Sequence, residues 1–156
     1  MTDADARRKD ALGFLTRHAV GVLATVDSAG QPHASAVYYK ADDDFSIYFL
    51  TLASSKKYQG MKANPKVAFT IGSSDVPKTL QMEGVAEEIQ YEEDKNAKLT
   101  ELVGVLMDNS KFYFPPLTQL DKAEVVLIWM QPKWARWSDF STMQDGTDKV
   151  TFEIQL

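Results

Sequence analysis

Apolar positions along this chain change their period several times, and each change marks an element. Ala11, Leu12, Leu15 and Ala19 fall at helical spacing inside a polar, charged segment. That pattern predicts a surface helix over Thr2–Arg17, capped by Thr2 or Asp3. From Val20 to Asp27 the period drops to two, with Val20, Val22, Ala24 and Val26 alternating against Gly21, Leu23 and Thr25. This is a strand. Ser28-Ala29-Gly30-Gln31 is turn chemistry, Pro32–Lys40 a second strand, Ala41–Asp44 another turn, and Phe45–Thr51 a third strand. Three strands on short connections form an antiparallel meander.

A helix over Ser55–Ala63, with Tyr58 and Met61 on one side, interrupts the meander and ends at Asn64-Pro65. Lys66–Gly72 is a fourth strand with Val67, Phe69 and Ile71 on one face, and Thr79–Gln90 a fifth. Leu99, Leu102, Val103 and Leu106 place a helix over Tyr91–Asp108. Lys111–Thr118 reads as a stiff loop whose Phe112, Tyr113 and Phe114 cover a core or a partner subunit. The apolar run Ala123–Met130 predicts a strand buried on both faces. Gln131-Pro132 is read as a break, Lys133–Phe140 carries Trp134 and Trp137, Asp145-Gly146 turns, and Val150–Leu156 alternates as a last strand. About seven or eight strands with helices inserted at turns predict a mainly β fold, a small antiparallel β-barrel filling one domain over residues 1–156.

Composition narrows what such a barrel does. A net charge of −5 argues against nucleic-acid and anionic-membrane partners. No run approaches a membrane span and the N-terminus lacks the apolar stretch of a signal peptide, so the expectation is a cytoplasmic protein. There are no cysteines and only two histidines, His18 and His33, which rules out thiolate chemistry and leaves no partners for a zinc site or a Ser-His-Asp relay. The consecutive carboxylates Asp42-Asp43-Asp44 point in different directions in a turn and read as a solvated hairpin tip, so no metal is expected. No acid/base pair emerges, no catalytic side chain is assigned, and any reaction belongs to a cofactor.

Ser46–Val67 carries the densest chemistry. Thr51, Ser54, Ser55, Lys56 and Lys57 gather hydroxyl and ammonium donors where a strand ends and a helix starts. Two readings stand at this point: a serine-capped helix with solvated lysines, or a phosphate cradle that adds charge-assisted bonds to the helix dipole. Tyr38, Tyr39 and Tyr48 either pack in the barrel or offer a stacking surface to a planar ring. In W-A-R-W, Trp134 and Arg136 share one strand face while Trp137 takes the other.

The runs G-Q-P-H-A-S-A-V-Y-Y-K (Gly30–Lys40), I-Y-F-L-T-L-A-S-S-K-K (Ile47–Lys57) with N-P-K-V (Asn64–Val67), and L-Q-M-E-G-V-A-E (Leu80–Glu87) follow one another in order. Together they resemble the pyridoxamine 5′-phosphate oxidase-like, FMN-binding split-barrel family, over roughly Val20–Gln90. The resemblance implies a split β-barrel homodimer with two flavin sites at the subunit interface. It implies that Thr51, Ser55, Lys56 and Lys57 hold the FMN phosphate and that Ser35 faces the ribityl chain and phosphate. Val37 and Leu50 would pass along the isoalloxazine ring, and Gln81 or Thr79 would reach it from the partner subunit.

Departures from the family pattern restrict the activity. The oxidase branch has an arginine where this chain has Ser35, and its C-terminal Arg/His segment has no counterpart in Thr147–Leu156. The late tryptophan over the ring falls at Ser138, a departure that neither Trp134 nor Trp137 necessarily makes good, and Trp134 is counted among the cofactor-binding candidates. The implied function is therefore an FMN-binding oxidoreductase outside the true oxidase branch, acting on a small-molecule substrate, with a nicotinamide nucleotide as one candidate. A deazaflavin (F420)-dependent reductase and a non-catalytic flavin-binding or sensing protein stay open as alternatives, and a haem-handling relative through His33 stands further off.

Overall fold

The computed structural model describes residues 1–90, 97–102, 104 and 125–156. Helix α1 (Asp3–Arg17) starts from a capping box in which the Thr2 side chain accepts from the Asp5 N–H and Asp5 accepts from the Thr2 N–H. It lays Ala11, Phe14 and Leu15 on the barrel and closes one end of the core. The strands are β1 (Val20–Val26), β2 (Pro32–Ala41), β3 (Ile47–Leu52), β4 (Lys66–Gly72), β5 (Lys78–Glu88), β6 (Val125–Asp139) and β7 (Thr151–Ile154), with α2 (Lys56–Ala63) between β3 and β4. Residues 97–102 are helical, as read within Tyr91–Asp108. The loop read over Lys111–Thr118 lies outside the described residues.

All strands join one antiparallel sheet in the order β3-β2-β1-β4-β5-β6-β7. The first part of β6 also pairs with β3, from Ile47↔Met130 to Leu52↔Val125, and this closes six strands into a barrel. The last part of β6 leaves the barrel seam and takes β7 as its second neighbour, from Ala135↔Ile154 to Ser138↔Thr151. Leu23, Phe69, Met82, Ala135 and Ile154 stand in register across β1, β4, β5, β6 and β7, and form one buried layer of the core. The period-two reading of β4 holds residue by residue: Val67, Phe69 and Ile71 are buried while Lys66, Ala68, Thr70 and Gly72 are exposed.

Two local expectations need correction. Gln131-Pro132 does not break the chain, because β6 runs through it as one strand. The register shifts there: Glu83 faces Trp134 while Gly84 faces Pro132, so Lys133 is the extra residue of a β-bulge. Proline has no N–H to give a ladder, and a bulge is a place where that loss costs little. The second correction is Phe45, read as the start of a strand. It sits in the turn before β3 with φ of +67° and its side chain fully buried, between an Asp42 N–H to Ser46 carbonyl bond of 2.9 Å and a Phe45 N–H to Asp42 carbonyl bond of 3.0 Å. Burial of the ring outweighs the left-handed backbone that a bulky side chain otherwise avoids.

The run Val126-Leu127-Ile128 is buried throughout, as expected for a strand covered on both faces. No described helix is long and apolar enough to cross a membrane.

Candidate cofactor site

Strand β3 alternates its burial so that Ile47, Phe49 and Thr51 point inward. That places the Thr51 hydroxyl at the barrel end, 2.8 Å from the hydroxyl of Ser55. Ser55 is the N-cap of α2 and accepts the Tyr58 N–H at 3.2 Å. The first turn of α2 holds no acidic residue, so nothing in it opposes an anion at this end of the dipole. Lys57, half-buried, enters the wall of a cleft of about 150 Å³ together with Ala36, Val37, Tyr38, Leu50 and Leu102. Lys56 is exposed and does not line this cleft, and neither does Ser35, which pairs with the buried Leu23 and shares its face of the sheet.

Gln81 and Trp134 lie elsewhere. They line a second cleft of about 490 Å³ along the outer side of β1, β4, β5 and β6, with Val22, Thr70, Glu83 and Arg136. Gln81 stands between Thr70 and Arg136 in register, and Trp134 opposite Glu83. Thr79 pairs with Gly72 and Ser138 and is not part of this cleft. The candidate residues thus separate: Val37, Leu50 and Lys57 line one cleft, Gln81 and Trp134 the other, and the Thr51–Ser55 hydroxyl pair stands at the start of α2 and lines neither. As expected, Trp134 and Arg136 face outward while Trp137 is buried.

Leu102 escaped attention in the sequence because helical spacing marked it only as a core position. In the structure it is 1% exposed and forms one side of the Lys57 cleft. Its helix is held by Lys98, whose ammonium lies 2.9 Å from Asp42, 3.6 Å from Glu101 and 4.3 Å over the Tyr48 ring. The guanidinium of Arg136, the arginine of W-A-R-W, lies 4.9 Å over the Trp134 ring. His33 bonds Asp27 at 3.1 Å, a structural role in the first hairpin.

Three tyrosines, Tyr39, Tyr48 and Tyr58, hold their protons more tightly than a free phenol. Burial raises the Tyr39 hydroxyl, which donates to the Leu15 carbonyl at 2.6 Å. Burial, and after it the charge of Asp42, pushes Tyr48 up to about 12. The bond to Glu88 at 2.8 Å is the main cause that raises Tyr58. Because the folded state holds these protons more tightly than the unfolded chain, their contribution is complete below the ordinary tyrosine value of 10.0 and is lost as pH rises from there toward the folded values. Urea midpoints measured from pH 9 to 11.5 are expected to fall, and to fall less in Tyr48→Phe. Equal slopes in the two proteins would remove Tyr48 from this account.

The arrangement suits a phosphate-bearing, ring-bearing cofactor. A helix start without acids and the Lys57 ammonium would favour an anion, the Thr51–Ser55 hydroxyl pair lies at that helix start, and Val37 and Leu50 offer apolar wall beside Lys57. Among the described residues no three His, Asp or Glu side chains gather as a metal site would need.

The closed barrel with its divided sixth strand is a split β-barrel. The sequence pattern of the pyridoxamine 5′-phosphate oxidase family matches residues 8–139, and the chain belongs to that family. The pyridoxine/pyridoxamine 5′-phosphate oxidase of Bordetella avium (strain 197N) is 37% identical over 71 residues, which make up 46% of this chain and 34% of that enzyme. The match therefore spans about a third of the length of this curated relative. Among solved structures, an F420 reductase is 29% identical with a TM-score of 0.63, over 79% of this chain and 93% of that one. A FAD-binding protein of Mesorhizobium loti shares the fold, with a TM-score of 0.65 at 23% identity over 81% of this chain and 90% of that one.

Proposed function

We propose that this protein is an FMN-dependent oxidoreductase, a cytoplasmic homodimer with a flavin at each of two interface sites. The observation that carries this reading is the Thr51–Ser55 hydroxyl pair at the start of α2, with Lys57 leading from it into a cleft walled by Val37 and Leu50. Lys57 and the free N–H groups of α2 hold the phosphate, and the Ser55 hydroxyl adds a donor if it turns from Thr51. When bound, the flavin supplies hydride or electron transfer to a small molecule. The chain's own residues place the ring, keep water from one side of it and supply donors to its polar edge.

Size supports the dimer. Cofactor pockets run about 300–1,000 Å³, and the Lys57 cleft at about 150 Å³ takes only part of a flavin. The cleft holding Gln81 and Trp134, at about 490 Å³, lies on another side of the barrel, so a second copy can bring it over the first copy's ring. Val20 and Val22 on that side are 44% and 41% exposed, apolar surface that a partner subunit would cover. Oxidation of pyridoxamine phosphate is not part of the proposal, because Ser35 stands where the family oxidase has an arginine.

Purified protein is expected to be yellow, with absorbance near ~450 nm and FMN released on denaturation. Colourless protein that takes up no added FMN would sink the reading. The second reading is an F420-dependent reductase, favoured by the likeness to the F420 reductase at 29% identity. Uptake of F420 in preference to FMN, read in the same assay, selects it.

A further inference from the structure

The chain carries a net charge of −5, yet its cations are unevenly placed. Between α1 and β7 lies a cleft of about 660 Å³ lined by Arg7, Arg8, Arg136 and Lys149, against the carboxylates of Asp5 and Glu153 alone. Asp5 is committed to Thr2, accepting its N–H at 2.8 Å and its hydroxyl at 2.7 Å. Four cations against two acids reverse the sign of the whole molecule inside this one recess. The larger cleft beside Tyr48, about 810 Å³, has the opposite balance: Lys98, itself paired with Asp42, stands against Glu87 and Glu88.

The cations are held by groups that do not neutralise them. The Arg7 guanidinium lies 3.9 Å from the centroid of the Phe152 ring and the Lys149 ammonium 5.5 Å from it. Arg8 donates from Nε to the Gln155 carbonyl at 3.1 Å and from a terminal nitrogen to the Asp43 carbonyl at 3.5 Å. Arg136 rests over Trp134. Among the described residues their one carboxylate contact within 4.0 Å is Arg7 to Asp3 at 3.9 Å, where Asp3 is 94% exposed, and such a pair contributes little. Cations gathered on ring faces and carbonyls repel one another, and an anion entering the recess relieves that repulsion. Three of the four are arginines, whose planar forks suit phosphate and carboxylate groups.

Arg136 also lines the cleft that contains Gln81 and Trp134, so the two recesses meet at its side chain. We propose that the α1–β7 cleft binds the anionic portion, two or more phosphate or carboxylate groups, of a small molecule whose other end lies on the Gln81–Trp134 face. The reading of that other end as a partner of the flavin rests on the function proposed above; the anion site does not.

Isothermal titration of the flavin-free protein with pyrophosphate, NADP⁺ and a triglutamate peptide tests this. Saturable binding of at least one probe is expected, weakened about tenfold or more by Lys149→Glu and by Arg7→Gln, and also weakened by added salt. Lys149 is exposed, so its reversal leaves the core intact; Lys62→Glu on α2 carries the same charge change and is expected to leave the affinity as it is. Tighter binding of NADP⁺ than of pyrophosphate assigns a nucleotide, and tighter binding of triglutamate assigns a polycarboxylate tail. No saturable binding of any probe, or affinities unmoved by both Lys149→Glu and Arg7→Gln, overturns the proposal. FMN uptake by the wild-type protein is read separately by absorbance, so flavin retained without anion binding condemns this inference alone.

Discussion

Changing Lys57 to glutamate is expected to weaken FMN binding by more than about 100-fold. A charge-assisted hydrogen bond to a phosphate is worth about 1.5–3 kcal/mol, which is roughly ten- to a hundredfold in affinity, and the carboxylate adds repulsion to that loss. Lys57→Ala should show the first part alone. The size follows from the local setting: Lys57 is half-buried in the cleft wall, at the start of a helix whose first turn has no acid to share the ammonium. Lys9→Glu, on the exposed side of α1, changes the net charge equally and should leave binding unchanged. Fluorescence titration of FMN separates the variants. Equal loss in both would reduce the Lys57 effect to the field of the whole molecule.

Gly84→Ala is expected to lower unfolding free energy by about 1–3 kcal/mol, the usual range for an overpacked interior site. A Cβ at position 84 would lie 2.1 Å from the Gln131 carbonyl oxygen and 2.9 Å from its carbon, both backbone atoms that no rotamer change can move aside. The strand would have to part from β5 at its bulge. That bulge sets which side of β6 faces out, and with it the direction of Trp134 and Arg136. Gly13→Ala is the useful contrast, since nothing lies within 4 Å of a Cβ there and α1 gains about 0.5–1 kcal/mol from losing a mid-helix glycine. Urea unfolding reads both; a neutral Gly84→Ala would contradict the close approach at the bulge.

Much of this fold is written in local pattern. The alternation of β4, the strands of the first hairpin and a serine cap on α2 each depend on a residue and its near neighbours, so period and side-chain chemistry were enough to find them, though Ser54 and Ser55 were equal candidates for the cap until the structure chose Ser55. The Pro132 bulge was not legible, because a proline after glutamine looks the same whether the chain stops or an opposing glycine gives it room. Phe45 misled for a related reason: its aromatic ring suits a strand, and only the core beneath it explains a turn with positive φ.

The candidate site was legible in part. Thr51, Ser55 and Lys57 stood out because hydroxyls and ammonium groups at a helix start have a known electrostatic use. Their separation from Gln81 and Trp134 depends on β1 pairing with β4 and β3 with β6, contacts between distant segments that no local pattern announces. Leu102 was hidden by its own ordinariness, a leucine at helical spacing that turns out to wall the Lys57 cleft. The basic recess was hidden more deeply, since Arg7, Arg8, Arg136 and Lys149 come from opposite ends of the sequence.

Titration of FMN with the purified wild-type protein, followed by quenching of flavin fluorescence, tests the central claim most directly. Saturation at one FMN per chain is the predicted result. Flavin fluorescence that stays unquenched at all protein concentrations would contradict it.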